Sequence, residues 1–491
     1  MLMFECAGCG ARIAASTDCA LPFACPEAAA GGDADHVLRL AGPVVAAFPS
    51  DRSANPFVRY RTLLASHALA EDLGVGDDRF VSIVRGLDGA IAGVDGKGFE
   101  TTPFGRAAEL GRRIGLAGGE VWVKDETGNV SGSHKARHLA GLMLCLLVRG
   151  AAGPDGRASG RPEAGQRLAI ASCGNAALAA AVVARAAGRP LDVFVPQTAD
   201  PAVLGRLARL SAAIHICARG AGARGDPCYA AFRAAVAGGA IPFCCQGSDN
   251  GLTIDGGRTL AWEMVSALLD EGGDGAGANP GAGAGASRPR RGLDAVVVQV
   301  GGGALASAVT QGFDAALACG AIDRRPRLYT VQTEGAFPLR RAYDAVAERV
   351  LARAAAAGER GPIPASDHER AARMTRWPGL VREEMAFARR HRSLFMRPWE
   401  TEPRSVAHGI LDDETYDWAE VAGAMLETGG WPIVVGEGLL VEANRAAREC
   451  TGVDVDHTGS AGLAGLMRAL ALDPRLAGER TAIIFSGVRR G

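Results

Sequence analysis

Apolar and polar positions follow two periods along this chain. Short continuous apolar runs, each closed by glycine, proline or polar residues, predict buried strands at Glu120–Lys124, Arg167–Ala171, Leu191–Val195, Ala213–Cys217 and Thr481–Phe485. Helical spacing falls between them, in an apolar run at Leu139–Val148 and at Ala176–Ala187 and Pro201–Leu210. Residues 56–115 read as mixed and mainly helical, with a break at Thr101-Thr102-Pro103. A second alternation starts at Leu293, and more helices precede the terminal strand. Repeated strand–helix–strand units predict α/β architecture with mainly parallel sheets.

Three stretches interrupt the pattern. Gly150–Gly165 is a polar, glycine-rich connection, and residues 353–366 form a second excursion. Glu271–Arg291 (EGGDGAGANPGAGAGASRPRR) has too little apolar surface to pack and is expected to be a disordered surface loop.

At 491 residues the chain has room for two or three domains. A net charge of −1 provides no basic field for nucleic acid or anionic membrane. No apolar run reaches the roughly 20 residues that span a bilayer, and the first residues lack the basic start and apolar core of a signal peptide. Twelve cysteines in so long a chain read as reduced thiols, so a cytoplasmic protein is expected. The first 42 residues place Cys6-x-x-Cys9 before Cys25-Pro26, the outline of a zinc-ribbon start. Glu27 and Ala28 stand where a second knuckle would have its other cysteine, leaving Cys19 or His36 to complete a set begun by Cys6, Cys9 and Cys25.

Chemistry gathers at residues 122–138, WVKDETGNVSGSHKARH. The chain has 53 Lys plus Arg, yet only Lys97, Lys124 and Lys135 are lysines. A primary amine can lose its proton and condense with an aldehyde, which a guanidinium cannot do. Lys135 follows Ser131-Gly132-Ser133 and opens a helix; the plain alternative is a solvated first-turn lysine. Lys124, ahead of Asp125 and Glu126, reads as structural. Ser172-Cys173-Gly174-Asn175-Ala176 joins a strand end to a helix start, where free amides bind anions. Gly301-Gly302-Gly303-Ala304-Leu305 follows the buried strand from Val296 and aims several amides at one point, as a phosphate cradle does. The same glycines also fit a loose dinucleotide fingerprint, Gly301-x-Gly303-x-x-Ala306 with Glu334 ending the next strand. Ser486-Gly487 follows the terminal strand, where open α/β sheets place ligands.

Together these segments resemble the pyridoxal-phosphate enzymes of the tryptophan synthase β-like superfamily (fold type II), over most of the chain from about residue 100 onward. Ser131–Arg137 looks like the Schiff-base segment, with His134 in place of the usual aromatic residue and Ala136 in place of an acid. Ser172–Asn175 matches the Ser-x-Gly-Asn loop, and Gly301–Leu305 matches the tetraglycine loop with Ala304 for one glycine. The Cys-x-x-Cys start, Asp255–Glu263 (DGGRTLAWE) and Val331–Ala336 (VQTEGA) look like threonine synthases. His457–Gly462 and Ile483–Gly487 look instead like the serine/threonine dehydratases.

The resemblance implies two three-layer α/β domains with mainly parallel sheets behind the zinc-ribbon-like segment. It divides the chain into 1–42 for that segment, 43–137 for the first part of the large cofactor domain, 138–250 for a small domain, and 251–491 for the rest of the large domain. It implies pyridoxal 5'-phosphate as cofactor, an amino-acid substrate and a homodimer. Lys135 would carry the cofactor and later take the α-proton. Gly301, Gly302, Gly303, Ala304 and Leu305 would bind the phosphate, Asn175 the ring hydroxyl and Ser486 the ring nitrogen. Ser172, Cys173, Gly174, Asn175 and Ala176 would receive the substrate carboxylate, and Ser133 or His134 stands near enough to help a leaving group. A neutral hydroxyl at the ring nitrogen favours elimination over transamination or racemisation. The expected activity is therefore deamination of a β-hydroxy or β-substituted amino acid to a 2-oxo acid. Threonine synthesis from O-phosphohomoserine and β-replacement are the alternatives.

Overall fold

The computed structural model describes residues 2–15, 21–41, 47–116, 118–151, 165–218, 226–274, 292–358 and 364–490. Three sheets organise them. Strands β1 (Met3–Cys6), β2 (Arg12–Ala14) and β3 (Leu38–Leu40) form a small antiparallel sheet in the order β2-β1-β3. The largest sheet contains β4 (Phe104–Arg106) and β5 (Glu120–Asp125), then the late strands described below. Between these two parts of the chain, β6 (Leu168–Ala171), β7 (Leu191–Pro196), β8 (Ala213–Cys217) and β9 (Ile241–Pro242) form a parallel four-stranded sheet, order β8-β7-β6-β9. The late strands are β10 (Ala295–Gln299), β11 (Arg327–Thr333), β12 (Pro432–Val435) and β13 (Arg480–Phe485). They complete the six-stranded order β12-β11-β10-β13-β5-β4, parallel except at the edge pair β4–β5.

The predicted α/β class with parallel sheets is the one found. Strand β10 shows why: Ala-Val-Val-Val-Gln is buried at every position, as expected when helices cover both faces of a parallel sheet. Its β-branched side chains suit that pleated surface. One apolar core surrounds the six-stranded sheet. A second surrounds the four-stranded sheet and takes in Phe57, Tyr60, Phe80, Ile91 and Phe99 from the early helical stretch.

Helix α1 (Lys135–Ala151) begins four positions before the apolar run that announced it, because its first turn buries Arg137 and His138 through polar partners, beside Ala136 in the apolar core. Helix α2 (Asn175–Ala186) follows β6, and α3 (Thr259–Asp274) continues through the first four residues of the glycine-rich insert. Those four residues are thus helix rather than loop; the rest of the expected disorder, 275–291, lies outside the described residues. Gly150 and Ala151 likewise belong to α1, and residues 152–164 lie outside the described residues. Helix Pro338–Ala356 runs into the start of the second excursion, of which 359–363 are not described. Among the described residues no helix is long and apolar enough to cross a membrane.

Candidate active site

Lys135 is the first residue of α1, and the chain reaches it through a strained turn. Ser131 has φ 55° and Gly132 φ 70°, and a left-handed serine costs of order 1–3 kcal/mol. The C-terminal segment holds this turn in place. The amide of Val488 donates to the Gly132 carbonyl at 2.9 Å, and the His134 amide donates to the Ser486 carbonyl at 3.2 Å. His134 Nδ1 also donates to that carbonyl, at 3.1 Å. Arg490 Nη2 donates to the Ser131 carbonyl at 2.6 Å. The Lys135 segment and the end of β13 therefore form one unit.

Helix α4 (Ala304–Ala318) starts directly after β10 and Gly301–Gly303. Gly303 has φ 98°, which aims the preceding amides inward at the positive end of the helix. A loop that sequence reasoning passed over, residues 411–417, is laid across the cradle. Thr415 Oγ1 donates to the Gly301 carbonyl at 3.0 Å, and the Asp417 amide donates to the Gly302 carbonyl at 3.0 Å. The Asp412 carboxylate lies against Gly301, where an added side chain would overlap it. Burial pushes the Asp412 carboxyl up to about 6, with the Lys135 ammonium pulling the other way. Burial also pushes Asp417 up to about 7, opposed by the Gly247 amide and by Lys135.

Ser486 ends β13 beside β10, and Gln299 reaches across to it. Gln299 Nε2 lies 2.6 Å from Ser486 Oγ and 2.9 and 3.0 Å from the carbonyls of Gly459 and Ile484, three acceptors that share its two hydrogens. With that bond accepted, the Ser486 hydroxyl keeps its own proton to donate. Asn175 opens α2 in the loop after β6; its Oδ1 accepts from Arg490 Nε at 2.9 Å, which leaves Nδ2 to donate elsewhere. Nδ2 lies against Gly487, next to Ser486. The rest of the loop, Ser172 to Ala176, is partly or fully open to solvent. Desolvation raises the Cys173 thiol above its ordinary range, so Cys173 is not poised as a thiolate.

Behind Lys135 lies a closed set of charges. Lys124, Glu126, Arg137 and Glu263 are all fully buried, two of each sign. Lys124 Nζ meets Glu263 at 2.5 Å and donates to the Thr102 carbonyl at 2.7 Å. Arg137 bridges Glu126 at 2.7 Å and Glu263 at 2.6 Å. Burial alone would raise the Glu263 carboxyl, but Arg137 and Lys124 outweigh it and hold it below its ordinary value. Lys124 is structural, as its sequence context suggested. The Asp255–Glu263 motif also acquires a role, since Glu263 supplies charge to this network. Gly256 lets its backbone meet α1, where any side chain would overlap the Arg137 carbonyl.

Arg490 and the C-terminal segment join the 131–134 turn to Asn175 and Ser486, and Gln299, just ahead of Gly301–Leu305, joins Ser486. Gln299, Asp412, Asp417 and Arg490 were not anticipated. Gln299 stood in the quoted strand, where a buried amide at a strand's last position was a usable signal. His134 is placed less favourably than expected for an acid. Burial and the neighbouring Lys135 push its imidazole well below the ordinary value, and its one proton sits on Nδ1 against a carbonyl. Ser133 Oγ is buried with no hydrogen-bond partner.

A family model described as "Pyridoxal-phosphate dependent enzyme" matches residues 97–487. No curated protein sequence matches the chain. Among solved structures, maize serine racemase is similar with a TM-score of 0.51 at 16% identity, over 84% of this chain and 94% of that one. Threonine deaminase isoform 2 from Solanum lycopersicum gives 0.52 at 14%, over 84% and 91%. Diaminopropionate ammonia lyase from Escherichia coli gives 0.50 at 14%, over 83% and 88%. Such identities speak for the fold.

Proposed function

The chain belongs to the pyridoxal-phosphate-dependent enzymes, and from that premise we propose that it is a lyase. It deaminates a β-hydroxy or otherwise β-substituted amino acid by α,β-elimination, giving a 2-oxo acid and ammonia. The residues fit the cofactor: Gly301–Gly303 lead into the start of α4 and leave no room for a side chain at 301 or 303, and Ser133 Oγ is an unpartnered buried hydroxyl two residues from the Lys135 amine. Lys135 would hold the cofactor, Gly301 to Leu305 its phosphate, Asn175 Nδ2 its ring hydroxyl and Ser486 its ring nitrogen. When bound, the cofactor supplies an electron sink for the bond broken at the substrate's α-carbon.

The amides of Ser172 to Ala176 orient the substrate through its carboxylate. Lys135 Nζ accepts the α-proton. The β-substituent leaves with its electron pair, and Ser133 Oγ is the hydroxyl placed to stabilise it. The released enamine hydrolyses in water to the 2-oxo acid and ammonia. The observation that carries elimination is the Ser486–Gln299 contact at 2.6 Å. A neutral hydroxyl there would not hold the cofactor's ring nitrogen protonated as a carboxylate would, which would favour expelling a β-substituent.

The test is a panel of serine, threonine, phenylserine, diaminopropionate and O-phosphohomoserine, with products quantified. Equal 2-oxo acid and ammonia from a β-substituted member supports the lyase. Threonine with phosphate would replace it by the synthase, and inverted amino acid without 2-oxo acid would replace it by a racemase.

Asp412 gives a second expectation. Its carboxylate lies against Gly301 in the cradle proposed for the phosphate, so two anions would compete once Asp412 ionises. Because its folded value is raised to about 6, the competition is weak below that pH and full above it. Asp412→Asn should therefore tighten cofactor binding at pH 8 by about tenfold, or ~1.4 kcal/mol, with little change at pH 5. Equilibrium titration of the cofactor-free protein checks this, and equal affinities at pH 8 would refute it.

A further inference from the structure

The N-terminal sheet is held by a side-chain cluster that the reaction does not use. Cys6 ends β1, Cys9 follows on the turn, Cys25 precedes a short 3₁₀ turn and His36 leads into β3. One potential ligand atom from each lies within 4.8 Å of every other. Cys9 and Cys25 sulfurs are 3.7 Å apart, and Cys6 Sγ is 3.5 Å from His36 Nδ1. Zinc–sulfur and zinc–nitrogen bonds of ordinary length give tetrahedral edges of about 3.8 Å between sulfurs and about 3.6 Å between sulfur and nitrogen. Both observed spacings are such edges.

We propose that Cys6, Cys9, Cys25 and His36 bind one zinc ion as a closed structural site. The sequence left the fourth ligand open between His36 and Cys19. The fold brings His36 to the cluster, and Cys19 lies outside the described residues. Among the described residues the core at the ribbon's outer end is Cys6, Cys25 and Leu38, with Ala11 and Ile13 packed against it, too little apolar burial to hold a loop by itself. The two knuckles also meet at Gly8, where any side chain would overlap the Asp35 carbonyl.

The ion would fix a strap that continues to the cradle. Asp35, beside His36, bonds through its amide to the Arg389 carbonyl at 2.7 Å and through its carboxylate to Arg392 at 3.3 Å. Arg392 also pairs with Glu414 at 2.5 Å, and the next residue, Thr415, bonds Gly301. Asp33 adds contacts to Arg392 and Ser393 at 2.8 Å.

The test is metal quantification on the cofactor-loaded full chain, purified reduced and without chelator. About one zinc per chain is expected for the wild type and for His36→Cys, with at least a tenfold loss in Cys9→Ser and His36→Ala. If the losing variants fail to fold, wild-type protein reconstituted with cobalt decides instead. A tetrahedral cobalt spectrum with thiolate charge transfer supports the site. Absence of metal with an octahedral spectrum, a Cys9–Cys25 disulfide in the reduced preparation, or full metal content in His36→Ala would each overturn it.

Discussion

Lys135→Ala is expected to lower turnover by at least about 10³-fold, the range spanned by losing a general base together with a covalent anchor. The argument rests on position. Lys135 sits at the start of α1, between the Ser131–Gly132 turn and the loop of Asp412 and Asp417, and its charge is felt by both buried carboxyls. No second amine can replace it: Lys124 is sealed behind it by Glu263 and Thr102, and Lys97 is exposed in the segment between helix Asp77–Asp95 and β4. Borohydride treatment followed by peptide mapping reads this directly. With only three lysines, a tag on the Lys135 peptide of the wild type and none in Lys135→Ala is the expected result. A tag on Lys124 or Lys97, or near-normal turnover without Lys135, would remove the basis of the proposed reaction.

Glu263→Ala should be the most damaging substitution away from the reacting groups. The network of Lys124, Arg137, Glu126 and Glu263 balances two positive and two negative charges with all four side chains fully buried. Removing one carboxylate leaves a fully buried ammonium and one edge of the Arg137 guanidinium uncompensated, which typically costs about 3–5 kcal/mol. Denaturant unfolding of the cofactor-free protein measures the loss. Lys124→Met added to Glu263→Gln should recover part of it, since a neutral pair no longer strands a charge. A loss under about 1 kcal/mol for Glu263→Ala would mean that water or a shifted side chain reaches the network. Cofactor affinity should fall as well, because Arg137 is two residues from Lys135 and sets the first turn of α1.

Much of this architecture could be read from local pattern. The strand bounds expected from apolar runs differ by at most one residue from those found for β5, β6, β7, β8 and β13; strands covered on both faces read as near-continuous apolar runs, though β8 is itself partly exposed. The glycine loop was equally legible, since close backbone approach leaves a compositional trace. Charged residues were harder to interpret. Lys124 could be called structural, but its partner Glu263 stands on another helix and the pair has no periodic signature. The Asp412–Asp417 loop was missed for the same reason: acids in a polar loop look like solvated residues until the fold buries them.

The sequence by itself determined the class of fold, the family and the residues able to form a Schiff base or cradle a phosphate. Each of these depends on backbone shape or on one side chain's chemistry within a few consecutive residues. Only the tertiary structure decided what those residues face. Arg490 joins Asn175 and Ser131 across most of the chain length, Gln299 turns Ser486 into a donor, and His36 rather than a second knuckle cysteine joins Cys6, Cys9 and Cys25. Such pairings exist only once the sheets have closed, because chain separation leaves no trace in spacing and burial is what makes a polar group need a partner.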